Sequence, residues 1–288
     1  MGKVYDALQR AEEQRAQRVG VGEGATALTP AADADLGVAS SAPPRASRPA
    51  PWWRRVLARF GRRAAVEDAG AQNKRRITLL QPQSYVAEQF RTLRARIDSL
   101  AAQRPLHTVV VTSADEGDGK TMSAVNLALV MSMSVGRKIA LVDCDMRSPR
   151  VHHSLGLRVD AGLAEVLLGE AELDRAIIPV EGTGLQVLPV RGMPANPSEL
   201  LASAKMKELI EKLATDFDRV ILDVPPTLGV PDARIVSELA DGILFVVRAG
   251  STPTPDVEAA LDCLDRTRIL GLVLNDAEVG GSDQYGAH

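Results

Sequence analysis

The sequence predicts an α/β fold, a mainly parallel sheet with helices on both faces. Three features of its 288 residues lead there. From Leu106 onward, short apolar strands alternate with periodic helical stretches. The strands are near-continuous aliphatic runs, the pattern of strands covered on both faces. A glycine-containing loop, Ser113–Ser123 "SADEGDGKTMS", separates the first strand from the first helix of this alternating body.

In order, "LHTVVVTS" is a β-branched strand and "TMSAVNLALVMSMSV" the helix after the loop. "KIALVDCD", "LQVLPV", "RVILDVPP", "DGILFVVRA" and "ILGLVLND" are further buried-type strands. The helical stretches between them are "GLAEVLLGE", "NPSELLASAKMKELIEKLA", "DARIVSELA" and "TPDVEAALDCLDRT". In "NPSE", Asn196 can cap, Pro197 suits the first helical position, and Glu199 can reach back as in a capping box. Sites of such sheets gather at the carboxyl ends of the strands.

The loop sits where a P-loop must, after a strand and before a helix. Gly117 and Gly119 let backbone N–H groups turn toward phosphate, with Glu116, Asp118 and Met122 contributing through the same backbone run. Lys120 reaches the outer phosphates, the Thr121 hydroxyl can ligate Mg²⁺, and the helix dipole adds a favourable field. Ala114 replaces the usual first glycine, which a negative φ tolerates. The acids Asp115, Glu116 and Asp118 are tolerated if their side chains point away from the anion. Two more strand ends strengthen the reading. "IALVDCDMR" sets Asp143 and Asp145 at one strand end, two residues apart and pointing the same way. "RVILDVPP" sets Asp223 at another. Acids ending apolar strands are costly to bury without a cation or hydrogen bonds. Beside a Lys-Thr loop they describe an Mg²⁺–ATP site with one carboxylate available as a base. The expected fold is thus a P-loop NTPase.

The chain's organisation is uneven. Residues 1–76 hold 14 Lys and Arg against 8 Asp and Glu, a basic arm ahead of an acidic body. Residues 20–50 are Ala-, Gly-, Pro- and Ser-rich and read as disordered. "GKVYDALQRAEEQRAQ" reads as a short amphipathic helix. In "PWWRRVLARFGRR", Trp52, Trp53, Val56, Leu57 and Phe60 share a helical face, with Arg54, Arg55, Arg59, Arg62 and Arg63 unbalanced by any acid. Trp52–Arg63 suits the interface of an anionic membrane; it also fits a solvated basic linker helix, or one that packs on a partner. The overall charge of −3 makes no case for nucleic acid. Cys144 and Cys263, far apart and without metal-ligand spacing, read as reduced thiols of a cytosolic protein. No apolar run approaches a membrane span, and the opening lacks a signal-peptide core and a myristoylation pattern.

Over Gln81–Asp276 the chain resembles the bacterial tyrosine kinases of capsular and exopolysaccharide biosynthesis, in the form separate from their membrane activator. The matching motifs are "ADEGDGKT" (Walker A), "ALVDCDMRSP" (the kinase-typical second motif), "VILDVPP" (Walker B), "GLAEVLLG", "GMPANPSELLAS", "PDARIVSELADGILFVVRAG" and "GLVLN". The opening "MGKVYDALQRA" is similar to autokinases found beside exosortase-linked loci. The resemblance implies an ATP- and Mg²⁺-dependent tyrosine autokinase regulating polysaccharide polymerisation and export. By it, Lys120 and Thr121 bind phosphate and metal, and Asp223 organises the metal. Asp143 is the base and Asp145 a metal holder, two roles that could be exchanged. Arg147 contacts phosphate or a neighbouring subunit, and Asn275 binds adenine. Upstream, Glu88, Arg91 and Arg94 match a Glu-x-x-Arg-x-x-Arg helix that serves self-association; by themselves they also fit an ordinary charged helix face.

The expected domains are the arm (1–76), the self-association region (77–105), the ATP-binding domain (106–276) and a tail (277–288). The expected partners are further copies of the chain and an inner-membrane chain-length activator, with the protein peripheral to that membrane. Kinases of this family usually end in a tyrosine cluster, whereas this tail offers only Tyr285 as acceptor. That keeps open a nucleotide switch that modifies no tyrosine. A positioning ATPase of the ParA/MinD group is disfavoured, because its early signature lysine is replaced by Ala-Asp-Glu.

Overall fold

The computed structural model describes residues 81–277. The basic arm, Trp52–Arg63 and Tyr285 lie outside the described residues.

A seven-stranded sheet organises the chain. Its strands are β1 (Thr108–Ser113), β2 (Ile139–Asp143), β3 (Ile178–Pro179), β4 (Leu185–Leu188), β5 (Arg219–Asp223), β6 (Gly242–Arg248) and β7 (Ile269–Asn275), in the spatial order β3-β4-β2-β5-β1-β6-β7. Every pairing is parallel except that of β3 with β4. The helices are α1 (Tyr85–Ala101), α2 (Lys120–Ser132), α3 (Val151–Leu155), α4 (Leu163–Leu168), α5 (Leu173–Ala176), α6 (Pro197–Leu201), α7 (Ala204–Asp216), α8 (Asp232–Ser237) and α9 (Thr254–Asp262).

Alternation along the strands divides the core into two layers. Val110, Ala140, Val142, Val220, Leu222, Ile243, Phe245 and Val247 point to the side of α7, α8 and α9, where Leu213, Val236 and Val257 meet them. Val109, Val111, Ile139, Leu141, Ile221, Leu244 and Val246 point to the other side, against α2 and Ile97 of α1. Both faces are buried, which explains the unbroken apolar strands.

Three local expectations are corrected. β2 ends at Asp143, so Asp145 lies in the following turn and does not share a strand face with it. "NPSELLASAKMKELIEKLA" folds as two helices, because Ser203 leaves helical geometry and its hydroxyl accepts from Met206 N at 3.2 Å, starting α7. The capping box at Asn196 is absent, and the Asn196 side chain makes no cap bond. A box of related form starts α4 instead, where Glu165 accepts from Gly162 N at 2.9 Å.

α1 begins at Ser84, whose hydroxyl accepts from Ala87 N. The three residues expected to serve self-association do not share one exposed face. Glu88 and Arg91 pair with each other on the surface. Arg94 is turned inward and donates to Val130 O and Ser134 Oγ, both at 3.0 Å, at the carboxyl end of α2. Six residues at about 100° each leave Arg94 about 120° around the helix from Glu88. At the next turns, Asp98 accepts from Arg137 at 2.8 Å and from Arg219 at 3.4 Å. None of the helices among the described residues is long and apolar enough to cross a membrane.

Candidate active site

The central strands bring the site together. β1 lies between β5 and β6, and its carboxyl end leads directly into the glycine loop. β5 lies between β1 and β2, and Asp143 and Asp223 are register partners at the ends of β2 and β5. The phosphate loop and the two strand-end acids therefore meet at the carboxyl edge of the sheet.

The loop has the shape the sequence requires. Gly117 and Gly119 take φ of 93° and 98°, a region closed to most side chains. Ala114 is buried without a positive φ, so its backbone conformation does not require glycine. Gly119 starts α2 without any side-chain cap, leaving the helix's first N–H groups for an anion. Asp115 and Glu116 are exposed. Asp118 is buried, its carboxylate accepting from Asp115 N at 3.0 Å and from the Thr252 hydroxyl at 2.7 Å. Met122 sits in the first turn of α2, its carbonyl accepting from Asn126 at 2.9 Å.

Behind the loop, one cation faces three acids. Lys120 Nζ donates to Asp145 Oδ2 at 2.7 Å, with both side chains almost wholly buried. Burial pushes the Lys120 ammonium down, but Asp223, Asp145 and Asp143 outweigh it and hold the pKa above its ordinary value. Asp145 Oδ1 accepts from Ser148 N at 3.0 Å. Asp143 is fully buried, and its two oxygens accept from Asp145 N at 3.2 Å and Val151 N at 3.1 Å. Burial pushes its carboxyl well above the usual range, and Asp223 and Asp145 add to this.

Asp223 differs from its neighbours. It is fully buried, and neither carboxylate oxygen has a hydrogen-bond partner. Burial raises its pKa to about 6, against the favourable field of Lys120 and of the Thr121 hydroxyl beside it, while Asp145 raises it further. The Thr121 hydroxyl does not complete a hydrogen bond to either oxygen. A buried acceptor pair without donors is costly. Its natural complement is a cation, and Thr121 at the start of α2 supplies the neutral oxygen such an ion takes. Among the described residues no three His, Cys, Asp or Glu are arranged to chelate a bare ion. Asp223 and the Thr121 hydroxyl could hold a cation that takes its remaining ligands from a bound molecule.

Two expected ligand residues are held by the protein itself. Arg147 donates through Nε to Asp232 at 2.8 Å and through Nη2 to Ser198 at 2.9 Å. Asn275, ending β7, donates from Nδ2 to Asp118 O at 2.9 Å and lies against Gly119. The sequence reading missed Asp232, Ser198 and Thr252. Thr252 follows the end of β6, in "AGSTP", whereas Asp232 opens α8, well past the end of β5.

A family model described as an AAA domain matches residues 106–262. The tyrosine-protein kinase YwqD of Bacillus subtilis is 36% identical over 212 residues, covering 73% of this chain and 89% of that protein. This chain belongs to the bacterial tyrosine-protein kinase family. Another relative in the family, the tyrosine-protein kinase Wzc of Salmonella typhimurium, is 32% identical over 71% of this chain but only 29% of its own length. The kinase domain of the Escherichia coli tyrosine kinase ETK superposes with a TM-score of 0.66 at 28% identity, covering 81% of this chain and 90% of that one. The chain thus spans most of YwqD and under a third of Wzc. Its sheet and phosphate loop are those of a nucleotide-binding kinase fold.

Proposed function

We propose that the chain is an ATP-dependent protein-tyrosine autokinase that regulates exopolysaccharide polymerisation and export. The observation that carries this reading is Asp223, a fully buried carboxylate with no donor to either oxygen, beside Lys120 and the uncapped start of α2. That arrangement asks for a phosphate-bound cation. Relatives of this similarity are named as tyrosine kinases, which favours phosphoryl transfer over a positioning ATPase or a non-catalytic switch.

Thr121, Asp145 and Asp223 would hold Mg²⁺ together with the nucleotide phosphates. The bound Mg²⁺–ATP supplies the phosphoryl group and neutralises its charge. Backbone N–H groups of Glu116–Met122 cradle the phosphates. Lys120 would give up Asp145 for phosphate, leaving that carboxylate available to hold Mg²⁺. The resting ion pair thus keeps a buried ammonium paired until nucleotide arrives. A tyrosine from another copy then bonds through its oxygen to the γ-phosphorus as the bond to the bridging oxygen breaks. ADP leaves, and the hydroxyl proton passes to Asp143 acting as the base. Arg147, held by Asp232, keeps the loop after β2 in register with α8. Asn275 braces the loop on the side where the base of the nucleotide would lie.

Tyr285 is the acceptor in this reading, and Glu88 and Arg91 form the face that meets another copy. Trp52–Arg63 contacts the inner membrane, where a chain-length activator supplies a cytoplasmic loop. Intact-mass measurement after incubation with Mg²⁺–ATP and such a loop tests the proposal. The wild type is expected to gain phosphate that Tyr285→Phe lacks. A wild type that binds ATP and stays unmodified refutes autophosphorylation.

A further inference from the structure

The phosphate loop carries an acid, Asp118, immediately before Gly119 and Lys120, and a free carboxylate there would repel the anion the loop binds. Its side chain is instead built into a junction of three chain segments. Oδ2 accepts from Asp115 N at 3.0 Å, closing the loop on itself. Oδ1 accepts from the Thr252 hydroxyl at 2.7 Å, across 134 residues of sequence. The main-chain oxygen of Asp118 accepts from Asn275 Nδ2 at 2.9 Å, across 157 residues. The Asp118–Asp115 bond alone would be an ordinary local turn. The two long-range bonds are not local, and they tie the loop to the segment after β6 and to the last residue of β7.

The direction of the Thr252 bond is set by its surroundings. Thr252 Oγ1 accepts from Arg248 N at 3.0 Å, so its own proton is left for the Asp118 carboxylate. Arg248 in turn pairs with Asp276 at 2.9 Å, just past Asn275. The ends of β6 and β7 are therefore joined to each other and, through Thr252 and Asn275, to the loop. Asn275 fills the space over Gly119 so closely that a Cβ there would meet its Nδ2 at 2.1 Å.

We infer that Thr252 is a positioning residue for nucleotide binding: its hydroxyl holds Asp118 turned away from the phosphates and fixes the N–H groups of Gly117–Lys120 in their receiving geometry. The inference rests on the Mg²⁺–ATP reading of this site. Preorganised donors bind an anion without first having to be ordered, and loss of the hydroxyl removes that advantage.

The test compares the full-length wild type with Thr252→Val and Thr252→Ser, measuring Mg²⁺–ADP affinity by calorimetry and the melting temperature without nucleotide. Valine keeps the shape and removes the donor; serine keeps the donor. Thr252→Val is expected to weaken ADP binding about tenfold, the loss of one hydrogen bond to a charged group. Thr252→Ser is expected to stay within about twofold of the wild type and to melt close to it, whereas Thr252→Val melts a few degrees lower because the buried Asp118 carboxylate loses a donor. Tight binding by Thr252→Val overturns the inference. So does equal weakening by both variants. A wild type that binds no Mg²⁺–ADP overturns the functional reading and this inference with it, and the wild-type arm alone reports that outcome.

Discussion

Asp223→Asn is the substitution with the most specific expected signature. In the nucleotide-free protein the Asp223 carboxyl is fully buried, has no donor, and is pushed up to about 6 from an ordinary 3.8. Burial is the main cause, partly offset by Lys120 and Thr121. Because the folded state holds this proton more tightly than the unfolded chain, it binds more protons between the two values. Its contribution is therefore fully present below the unfolded value and is lost as pH rises through about 6. Above that, ionisation destabilises the fold by about 3 kcal/mol. Asparagine cannot ionise, and its own cost is the same at every pH. The melting temperature of Asp223→Asn minus that of the wild type should thus grow by about 6–12 °C between about pH 4 and pH 8. The assay is differential scanning calorimetry with chelator and no nucleotide. A difference that stays constant with pH would refute the reasoning. With Mg²⁺–ADP present, the wild type should gain stability that the variant does not.

Lys120→Met strands the buried Asp145 carboxylate and should destabilise the nucleotide-free protein by about 3–5 kcal/mol in urea unfolding. Adding Asp145→Asn should recover most of that loss, whereas equal instability of the single and double variants would contradict the pairing. Arg94→Ala should cost about 1–2 kcal/mol in the same assay, because it removes the bonds to Val130 O and Ser134 Oγ. Glu88→Ala, from an exposed pair, should cost under about 0.5 kcal/mol.

The sheet was largely legible because each strand is short, apolar and bounded by turn residues. β3 was not: Ile178–Pro179 is a two-residue antiparallel edge with no periodicity to detect. The break between α6 and α7 turned on Ser203, a residue type that occurs both inside helices and at their starts. At the site, Lys120, Thr121, Asp143 and Asp223 were readable from their places beside a glycine loop and at strand ends. What could not be read was direction. Asp143 and Asp145 look equivalent in sequence, yet one accepts backbone N–H groups and the other pairs with Lys120. Arg94 looks like Arg91 until α2 packs beside it. Nothing in the sequence ties Arg147 to Asp232, 85 residues away. Thr252 had no local motif, because its partner is set by the fold.

The central claim is transfer of phosphate to tyrosine from this loop. It is tested most directly by incubating the wild type with γ-labelled ATP, Mg²⁺ and an activator loop, then identifying the labelled amino acid after hydrolysis. The account predicts label in phosphotyrosine for the wild type and none for Lys120→Met. Label in free phosphate alone, or phosphotyrosine that persists in Lys120→Met, would contradict it.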